Sequence, residues 1–367
     1  MMQIVRPTLL LDEKKCKANI KFMVDKAKKA NVVLRPHFKT HQSHEVGRWF
    51  RAQGVTKCTV SSIRMASYFA ADGWEDITVA FPTNVLEISE INRLASVCKL
   101  NLAFVSPDAI RKLKSGLVRP IQCVIEIDTG YHRTGVDPGD FTRIDGILKE
   151  VADNPLITFK GFFCHSGQSY ADRSREAIAK TYEVTATQMK SVGDHYRKAY
   201  PNLELSMGDT PTCAVVTEFE GINELRPGNF VFYDLMQRVI GSCKNEDIAI
   251  VMACPVVAVY PERNEIIVHG GGVHFSKDQL KREDGKSVFG EVVRLTDSGW
   301  DATPLPIYAK SLSQEHGVLV APGGEAEKFK VGDVLGILPV HSCLTADAMG
   351  EYRTIDGKLI DMMPKAS

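Results

Sequence analysis

The chain has 367 residues, of which 44% are hydrophobic and 25% are charged, values typical of a soluble globular protein. Lys plus Arg and Asp plus Glu both number 45, and the lack of basic tracts argues against nucleic acid or an anionic membrane as a partner. No apolar run is long enough to span a membrane, and nine scattered cysteines without paired spacing predict reduced thiols in the cytoplasm.

The first two thirds of the chain alternate β-like runs with segments of helical periodicity. The predicted strands are 32–39, 58–62, 76–81, 99–105, 122–128, 158–164, 203–207 and 223–233. The predicted helices are 13–29, 42–53, 84–97, 107–116, 139–153 and 172–198. Eight apolar strands alternating with helices favour a parallel (β/α)8 TIM-like barrel, with an open doubly wound sheet as the alternative.

From about residue 245 the pattern changes to β-rich segments separated by turn signals. These segments are 248–260, 265–269, 288–294, 317–320 and 333–338. Because no comparable helical segments lie between them, they predict a second, antiparallel β domain. A strand near the start of the chain, around 4–11, can pair with either part.

Chemically informative residues lie at the predicted carboxyl ends of the barrel strands, where such barrels place their active sites. They are Lys39, Arg133, His165, Gln168, Tyr170, Ser206, Gly208, Thr210, Arg226, Gly228 and Asn229. Taken alone, each has an ordinary structural explanation: Arg133 as a surface arginine, for example, and His165 as a hydrogen-bonded core histidine. Their convergence from five strands predicts an active site.

Lys39 ends the first predicted strand, in the segment RPHFKTH that follows the apolar run VVL. We expect its side chain to be held firmly and partly desolvated. Under those conditions an ammonium becomes an amine that can form a Schiff base with a carbonyl cofactor. A solvated lysine just past a strand is the alternative.

The segments after the seventh strand and in the eighth are suited to an anionic, heteroaromatic group. Gly208 lets backbone N–H groups approach a phosphate, and Thr210 can donate its hydroxyl, unless Thr210 merely caps a helix. Arg226 can point a fixed cation at a heteroaromatic nitrogen, while Gly228 and Asn229 offer N–H groups to phosphate. A plain tight turn is the alternative there.

His341 and Cys343 place an imidazole and a thiol two residues apart. On a strand both side chains would face the same side, which suits shared coordination of a metal. Two ligands do not make a structural zinc site, but with waters and substrate oxygens they suffice for a catalytic one. Asp347 is a further candidate ligand, and a buried cysteine beside a hydrogen-bonded histidine is the alternative.

Together these motifs resemble the D-serine dehydratase and D-threonine aldolase family of fold-type III pyridoxal-phosphate enzymes, which is related to alanine racemase. The matching segments are PHFKTH, DTG with RTG, RPG, SQEHG and PVHSC. The resemblance implies a barrel at 10–245, a β domain at 246–367 that the strand within 1–9 joins, a homodimer, and a small D-amino acid substrate.

The resemblance also implies roles for individual residues. Lys39 would bind the aldehyde of pyridoxal phosphate and remove the substrate's Cα proton. Arg133 would face the phenolic oxygen and Arg226 the ring nitrogen. The remaining cofactor contacts would come from His165, Ser206, Gly208, Thr210, Gly228, Asn229 and Tyr233. The catalytic set would be Lys39, His165, Gln168 and Tyr170.

A divalent metal on His341 and Cys343 would act on the substrate's β-oxygen, with Zn²⁺ preferred and Mn²⁺ or Mg²⁺ as alternatives. The His-x-Cys pair favours a dehydratase that yields a keto acid and ammonia over an aldolase that yields glycine and an aldehyde. A racemase or a non-catalytic cofactor carrier ranks below both. Tyr131 and His132 stand where the family more often has small or apolar residues, which leaves the substrate open between D-serine, D-threonine and 3-hydroxyaspartate.

Overall fold

A computed structural model describes residues 3–282 and 285–365. The chain divides into two compact units. One comprises Lys21–Gly228, and the other combines the residues up to Ile20 with those from Asn229 onward. In the described part of the chain, no helix is both long and apolar enough to cross a membrane.

The unit Lys21–Gly228 is a barrel of parallel strands, preceded in the chain by β1 (Thr8–Leu11) and α1 (Glu13–Lys29). Its strands within the described residues are β2 (Val33–Leu34), β3 (Cys58–Val60), β4 (Asp76–Pro82), β5 (Lys99–Phe104), β6 (Ile121–Ile127), β7 (Ile157–Cys164), β8 (Glu204–Met207) and β9 (Glu224–Leu225). Each pairs with the next in chain order from β3 to β9, and β9 pairs with β2. A parallel bridge between His37 and Thr59 joins the two ends of this sheet, which confirms the predicted TIM-like barrel.

Helices follow the barrel strands, and all of them except α4 begin after a residue whose side chain caps the helix. They are α2 (His44–Ala52), α3 (Ile63–Ala71), α4 (Ile88–Ala95), α5 (Pro107–Lys114), α6 (Phe141–Ala152), α7 (Arg175–Arg197) and α8 (Thr210–Val215). The side chain of Ser62, for example, accepts a hydrogen bond from Met65 N at the start of α3, a helix that the periodicity did not predict. The buried faces of these helices cover the outside of the barrel strands.

Two predicted strands, 32–39 and 223–233, are shorter than expected because of proline. Pro36 and Pro227 have no N–H to donate to a ladder, so regular pairing stops at Leu34 and Leu225. Their carbonyl oxygens still take part, since Pro36 O accepts from Thr59 N at 2.9 Å and Pro227 O from His37 N at 2.8 Å. The chain therefore leaves both strands as turns at the carboxyl end of the barrel.

The other unit is rich in antiparallel strands, as the β-rich pattern predicted, and six of them close into a barrel, which the pattern did not predict. Its further strands among the described residues are β10 (Ile250–Tyr260), β11 (Glu265–His269), β12 (Leu280–Lys281), β13 (Ser287–Val288), β14 (Gly290–Val293), β15 (Leu295–Thr296), β16 (Gly299–Trp300), β17 (Tyr308–Leu312), β18 (His316–Val320), β19 (Val334–Pro339), β20 (Tyr352–Thr354) and β21 (Leu359–Ile360). The ring runs β10-β11-β18-β17-β14-β19 and returns to β10. β1 adds to β10 with antiparallel register, Leu10 opposite Val251, and carries β20 and β21 on its far side.

Helices also occur in this unit, contrary to the expectation that none lies between its strands. They are α9 (Leu235–Ile240), α10 (Gly272–Phe275) and α11 (Ser342–Met349). Gly350 ends α11 in the left-handed conformation, with φ at 70°, as glycine commonly does at a helix C-terminus. Because α11 begins at Ser342, the prediction that His341 and Cys343 alternate along a strand is wrong. The predicted strand within 1–9 and the domain 246–367 both include residues outside the described ranges.

Candidate active site and metal centre

Three basic side chains and two imidazoles share the carboxyl-terminal mouth of the parallel barrel. Burial, together with the nearby charges of Arg133, Lys39 and Arg226, lowers the pKa of His165 to about 3, although a hydrogen bond to a carbonyl opposes this shift. Burial and the same positive charges hold the pKa of His37 well below its usual range. Both imidazoles are therefore neutral at pH 7, and the mouth is positively charged.

Lys39 lies in the turn after β2, where its backbone N–H donates to His37 Nδ1 at 3.3 Å. Its side chain is exposed, so the expectation of a partly desolvated lysine at a strand end is wrong for this chain. β2 ends before Pro36, so Lys39 lies in a turn and not in a strand, and it is exposed although its neighbours Phe38 and Thr40 are buried. The Nζ atom is accessible to a ligand.

Arg226 is a buried cation held from three sides. Its Nε donates to Ser206 Oγ at 2.8 Å, its Nη2 donates to Cys164 O at 2.6 Å, and its guanidinium lies 4.6 Å from the ring centre of Phe163. Burial lowers its pKa, and no carboxylate in the described part of the chain forms an ion pair with it. Its remaining N–H groups can bind an acceptor that the protein does not itself supply.

Ser206 connects this arginine to the barrel interior. Its Oγ accepts from Arg226 and donates to Glu224 Oε1 at 2.9 Å, and Glu224 Oε2 in turn accepts from Arg35 Nε at 2.6 Å. The hydroxyl is thus engaged in both directions within the protein. Its predicted contact with the cofactor stays a prediction, whereas its support of Arg226 is direct.

Thr210 opens α8, but it does not cap the helix. Asp209 does, because its Oδ1 accepts from Thr212 N at 2.7 Å and its Oδ2 accepts from Thr212 Oγ1 at 2.6 Å. Thr210 is fully buried, and its Oγ1 has no hydrogen-bond partner in the described part of the chain. A buried hydroxyl left unpaired costs about 1–3 kcal/mol, so a ligand oxygen would be bound favourably there.

Two of the predicted glycines allow close backbone approach at the same mouth. A Cβ atom at Gly228 would lie 2.8 Å from His37 O, and one at Gly208 would lie 2.8 Å from Arg226 Cβ. Neither position has room for a side chain. Close packing of the protein's own chain therefore requires glycine at both positions.

The predicted catalytic residues after β7 differ in the contacts that hold their side chains in place. His165 Nδ1–H donates to Gly208 O at 2.5 Å, so the neutral ring has an unprotonated Nε2. Gln168 Nε2 donates to Thr129 O at 3.0 Å, which ties it to the neighbouring loop. The ring of Tyr170 lies 6.2 Å from that of His165.

Asn229 and Tyr233 belong to the other unit, as do the predicted metal ligands. The Nδ2 of Asn229 donates to Asp234 Oδ2 at 2.6 Å and to Ser342 Oγ at 3.0 Å, and it lies 3.6 Å from Cys343 Sγ. Tyr233 is buried and has a left-handed backbone, with φ at 51°. The segment after Gly228 is thus tied to the first turn of α11.

His341 and Cys343 come together at the start of α11. Burial opposes a charged imidazole at His341, but its hydrogen bonds to Cys343 and Asp278 and the charges of Cys343 and Asp234 raise its pKa to about 10. His341 Nδ1 donates to Asp278 Oδ2 at 2.5 Å. A hydrogen-bonded imidazole and thiol beside two carboxylates form a set of ligands suited to a divalent metal. Asp347 lies four residues after Cys343, on the same face of α11.

Asp234 and Asp278 were not predicted. Asp234 Oδ2 accepts from Ser342 N at 2.9 Å and so positions the first turn of α11. Asp278 lies 63 residues from His341 in the sequence and belongs to no motif, so no local pattern indicates it. Both are visible only in the folded chain.

A second group of ligand-type side chains comprises His269, His274 and Glu315, whose donor atoms lie within 4.8 Å of one another. Gly271 N donates to His274 Nδ1 at 3.1 Å, so the neutral ring carries its proton on Nε2, the atom that faces Glu315 at 3.6 Å. That nitrogen has no free lone pair for a metal. We therefore interpret the group as a hydrogen-bonded cluster.

Two family models match the chain: the alanine racemase N-terminal domain over residues 11–235 and the serine dehydratase domain over residues 249–355. D-serine dehydratase of Dictyostelium discoideum is 29% identical over 95% of this chain and 93% of its own length. D-threo-3-hydroxyaspartate dehydratase of Delftia sp. strain HT23 is 29% identical over 97% of this chain and 95% of its own. D-threonine aldolase of Arthrobacter sp. is 24% identical over 93% and 86%.

The solved structure of the Delftia sp. HT23 dehydratase has a TM-score of 0.90 with this chain at 28% identity, covering 99% of this chain and 98% of that one. Two of its variants also match: one replaces a histidine with alanine, and the other replaces a cysteine with alanine and is described as a metal-free form. The two altered positions in that protein are two residues apart.

Proposed function

Because the chain belongs to the alanine racemase N-terminal domain family, we propose that it is a dehydratase of D-β-hydroxy amino acids that uses pyridoxal phosphate and a divalent metal. D-serine or D-threo-3-hydroxyaspartate would be converted to a keto acid and ammonia. The observation that carries this proposal is the cluster of Lys39, Arg133 and Arg226 around neutral imidazoles at the barrel mouth. A D-serine dehydratase and a D-threo-3-hydroxyaspartate dehydratase each match nearly the whole chain.

The residues at the mouth fit the cofactor. Thr210 would offer the phosphate a buried hydroxyl that has no hydrogen-bond partner among the described residues, and Gly208 and Gly228 would offer backbone N–H groups, as the resemblance implies. Arg226, which forms no ion pair with any described carboxylate, would face the ring nitrogen, and Arg133 the phenolic oxygen. Pyridoxal phosphate supplies the electron-withdrawing system that stabilises charge at the substrate's Cα. The phosphate contact of Asn229 and the contact of Tyr233 follow from the resemblance.

The chain's own groups would bind the cofactor and move protons. Lys39 Nζ would hold the cofactor's aldehyde until the substrate's amine takes its place there, and the freed amine of Lys39, exposed at the mouth, would then accept the Cα proton. His165 Nε2 would accept a hydrogen bond, because its Nδ1–H is fixed on Gly208 O. An arginine opposite the ring nitrogen disfavours protonation there. Gln168 and Tyr170 would contact the substrate or the loop that encloses it.

His341 and Cys343 would hold the metal, with Asp278 orienting the imidazole through its Nδ1. A thiolate with an imidazole favours Zn²⁺, and Mn²⁺ or Mg²⁺ are alternatives. The metal supplies Lewis acidity for departure of a β-hydroxyl group. The paired histidine and cysteine variants of the Delftia enzyme, one described as metal-free, support this assignment. A homodimer is proposed on the resemblance, and a cytoplasmic location on the nine scattered cysteines.

D-threonine aldolase activity is the second candidate, because an aldolase of that name is 24% identical to this chain. The cysteine at position 343 favours dehydration, since the resemblance associates the aldolases with a carboxylate in place of the thiol. Racemisation ranks lower, because the SQEHG segment contains no tyrosine to serve as a second base.

The test is release of pyruvate and ammonia from D-serine by the purified protein. We expect release with pyridoxal phosphate and Zn²⁺, loss after thorough chelation, and recovery when the metal is restored. Turnover that is unchanged by chelation would remove the metal from the proposal. Lack of keto acid from both D-serine and D-threo-3-hydroxyaspartate, with every divalent metal, would contradict the dehydratase itself.

Thr210→Val is expected to weaken cofactor binding without destabilising the fold, whereas Thr212→Val is expected to destabilise the fold. Valine keeps the shape of threonine, so Thr210→Val should leave the free energy of unfolding unchanged or slightly higher, since the Thr210 hydroxyl has no hydrogen-bond partner in the part of the chain that the structure describes. It should weaken cofactor binding about tenfold or more, the cost of losing one hydrogen bond to a charged group. Thr212→Val loses the bond to Asp209 and should destabilise the fold by about 1–3 kcal/mol.

Urea unfolding of the cofactor-free protein and a pyridoxal phosphate titration measure the two quantities separately. If Thr210→Val binds the cofactor as tightly as the wild type, Thr210 is not the phosphate contact. Equal destabilisation by both variants would show that the Thr210 hydroxyl has a partner in the protein.

A further inference from the structure

The ring of Tyr131 is held in one position at the barrel mouth, in the loop between β6 and α6. Its ring meets that of His165 at a centroid distance of 5.6 Å and an angle of 81°, an edge-to-face contact. The guanidinium of Arg133 lies 5.2 Å from the ring centre, within the range of a cation–π interaction. The side chain is 42% exposed, so one face is packed and the other is open.

Gly167 makes room for this ring. A Cβ atom there would lie 2.4 Å from both Cδ1 and Cε1 of Tyr131, a distance that real contacts do not reach. Gly167 does not have a positive φ, so its lack of a side chain matters for the contact with Tyr131 and not for its own backbone. The observed position of the Tyr131 ring therefore requires glycine at position 167.

The backbone on either side of Tyr131 is fixed by one carboxylate. Asp128 Oδ1 accepts from the N–H groups of Gly130 and His132, both at 3.0 Å, and its Oδ2 accepts from His132 Nδ1 at 3.0 Å. Burial opposes the ionised form, but these hydrogen bonds lower the pKa of Asp128, so it is charged at pH 7. Gly130 and His132 both have positive φ, at 112° and 56°.

The far end of the same loop is tied back to β6. Asp128 N donates to Val136 O at 2.9 Å, and Val136 N donates to Glu126 O at 2.8 Å. Arg133 itself is exposed and has no hydrogen bond in the described part of the chain, so its contact with Tyr131 is what orients its guanidinium.

We propose that Tyr131, seated over Gly167, is a positioning residue that holds the Arg133 guanidinium at the cofactor's phenolic oxygen. The inference rests on the proposed function, because the cofactor is what Arg133 would contact. It assigns Tyr131 a role through its aromatic ring, with no part for its hydroxyl group. Tyr131→Phe therefore keeps the role, and Tyr131→Ala removes it.

The experiment measures the dissociation constant of pyridoxal phosphate by absorbance titration of the cofactor-free protein. Tyr131→Ala should weaken binding about threefold to fivefold, as expected for one cation–π contact at a half-exposed site. Gly167→Ala should do the same, because its methyl group displaces the ring. Tyr131→Phe should match the wild type. Tyr200→Ala, which loses a ring contact with Phe159 of 4.9 Å at the opposite end of the barrel, is the control and should also match.

A double-variant cycle shows whether Tyr131 acts through Arg133. In an Arg133→Ala background, Tyr131→Ala should have no further effect, whereas independent roles would make the two losses multiply. The inference is overturned if Tyr131→Ala binds like the wild type, if Tyr131→Phe is as weak as Tyr131→Ala, or if the two losses multiply. Failure of the wild-type protein to bind the cofactor at all would overturn the proposed function, a result distinct from each of these.

Discussion

Lys39→Ala is expected to abolish the visible absorption of the lysine-bound cofactor and, with it, turnover. The side chain is exposed at the barrel mouth, and its charge reaches both His37 and His165. A missing general base alone lowers a rate by about 10²- to 10⁴-fold, and loss of the covalent attachment adds to that. The measurement is an absorption spectrum of each purified variant after incubation with pyridoxal phosphate.

Two further lysine variants make this result specific. Lys39→Arg keeps the positive charge but has no amine that can add to an aldehyde, so it should fail as completely as Lys39→Ala. Lys99→Ala removes an exposed lysine at the start of β5, the opposite end of the barrel, and should retain the wild-type spectrum. A normal visible band in Lys39→Ala would mean that another amine holds the cofactor.

His341→Ala is expected to leave cofactor absorption intact while removing the bound metal and the lyase activity. His341 and Cys343 are the hydrogen-bonded imidazole and thiol at the start of α11, and loss of either leaves an incomplete set of ligands. Asp278→Asn should have a smaller effect, weakening metal binding about 10- to 100-fold, because Asp278 only orients the imidazole. Metal content by elemental analysis and activity at graded Zn²⁺ concentrations measure both effects.

His316→Ala provides the matched control, because His316 is an exposed histidine in β18 of the same unit. It should keep the wild-type metal content. A graded series, with His341→Ala most affected, Asp278→Asn intermediate and His316→Ala unaffected, would support the metal centre. Undiminished metal content in His341→Ala would place the ion elsewhere.

Much of the fold was predictable because buried parallel strands are continuous apolar runs. All eight predicted barrel strands contain an observed strand, from β2 to β9. β17, Tyr308–Leu312, was missed because only one of its residues is buried, so no apolar pattern marks it. α11 was missed although α4 and α5 have the same length, because its buried residues are Ser342, Thr345 and Ala346, so no apolar stripe marks it.

The candidate site was predictable only for residues that lie directly after a barrel strand in the sequence. Residues just after barrel strands meet at the mouth by geometry, which is why Arg133, His165 and Arg226 come together. The exposure of Lys39 depends on where Pro36 ends β2, and the orientation of His341 depends on Asp278, a residue distant in sequence. The position of the Tyr131 ring depends on the lack of a side chain at Gly167. Contacts of this kind follow from tertiary packing and leave no local pattern.

The measurement that tests the central claim most directly is product analysis with D-serine, D-threonine and D-threo-3-hydroxyaspartate. The cofactor-loaded protein is offered each substrate, with and without chelator, and keto acid, ammonia, glycine and aldehyde are quantified. We predict metal-dependent keto acid and ammonia in equal amounts from at least one substrate, without glycine. Glycine with an aldehyde as the main products would contradict the dehydratase and make the protein an aldolase.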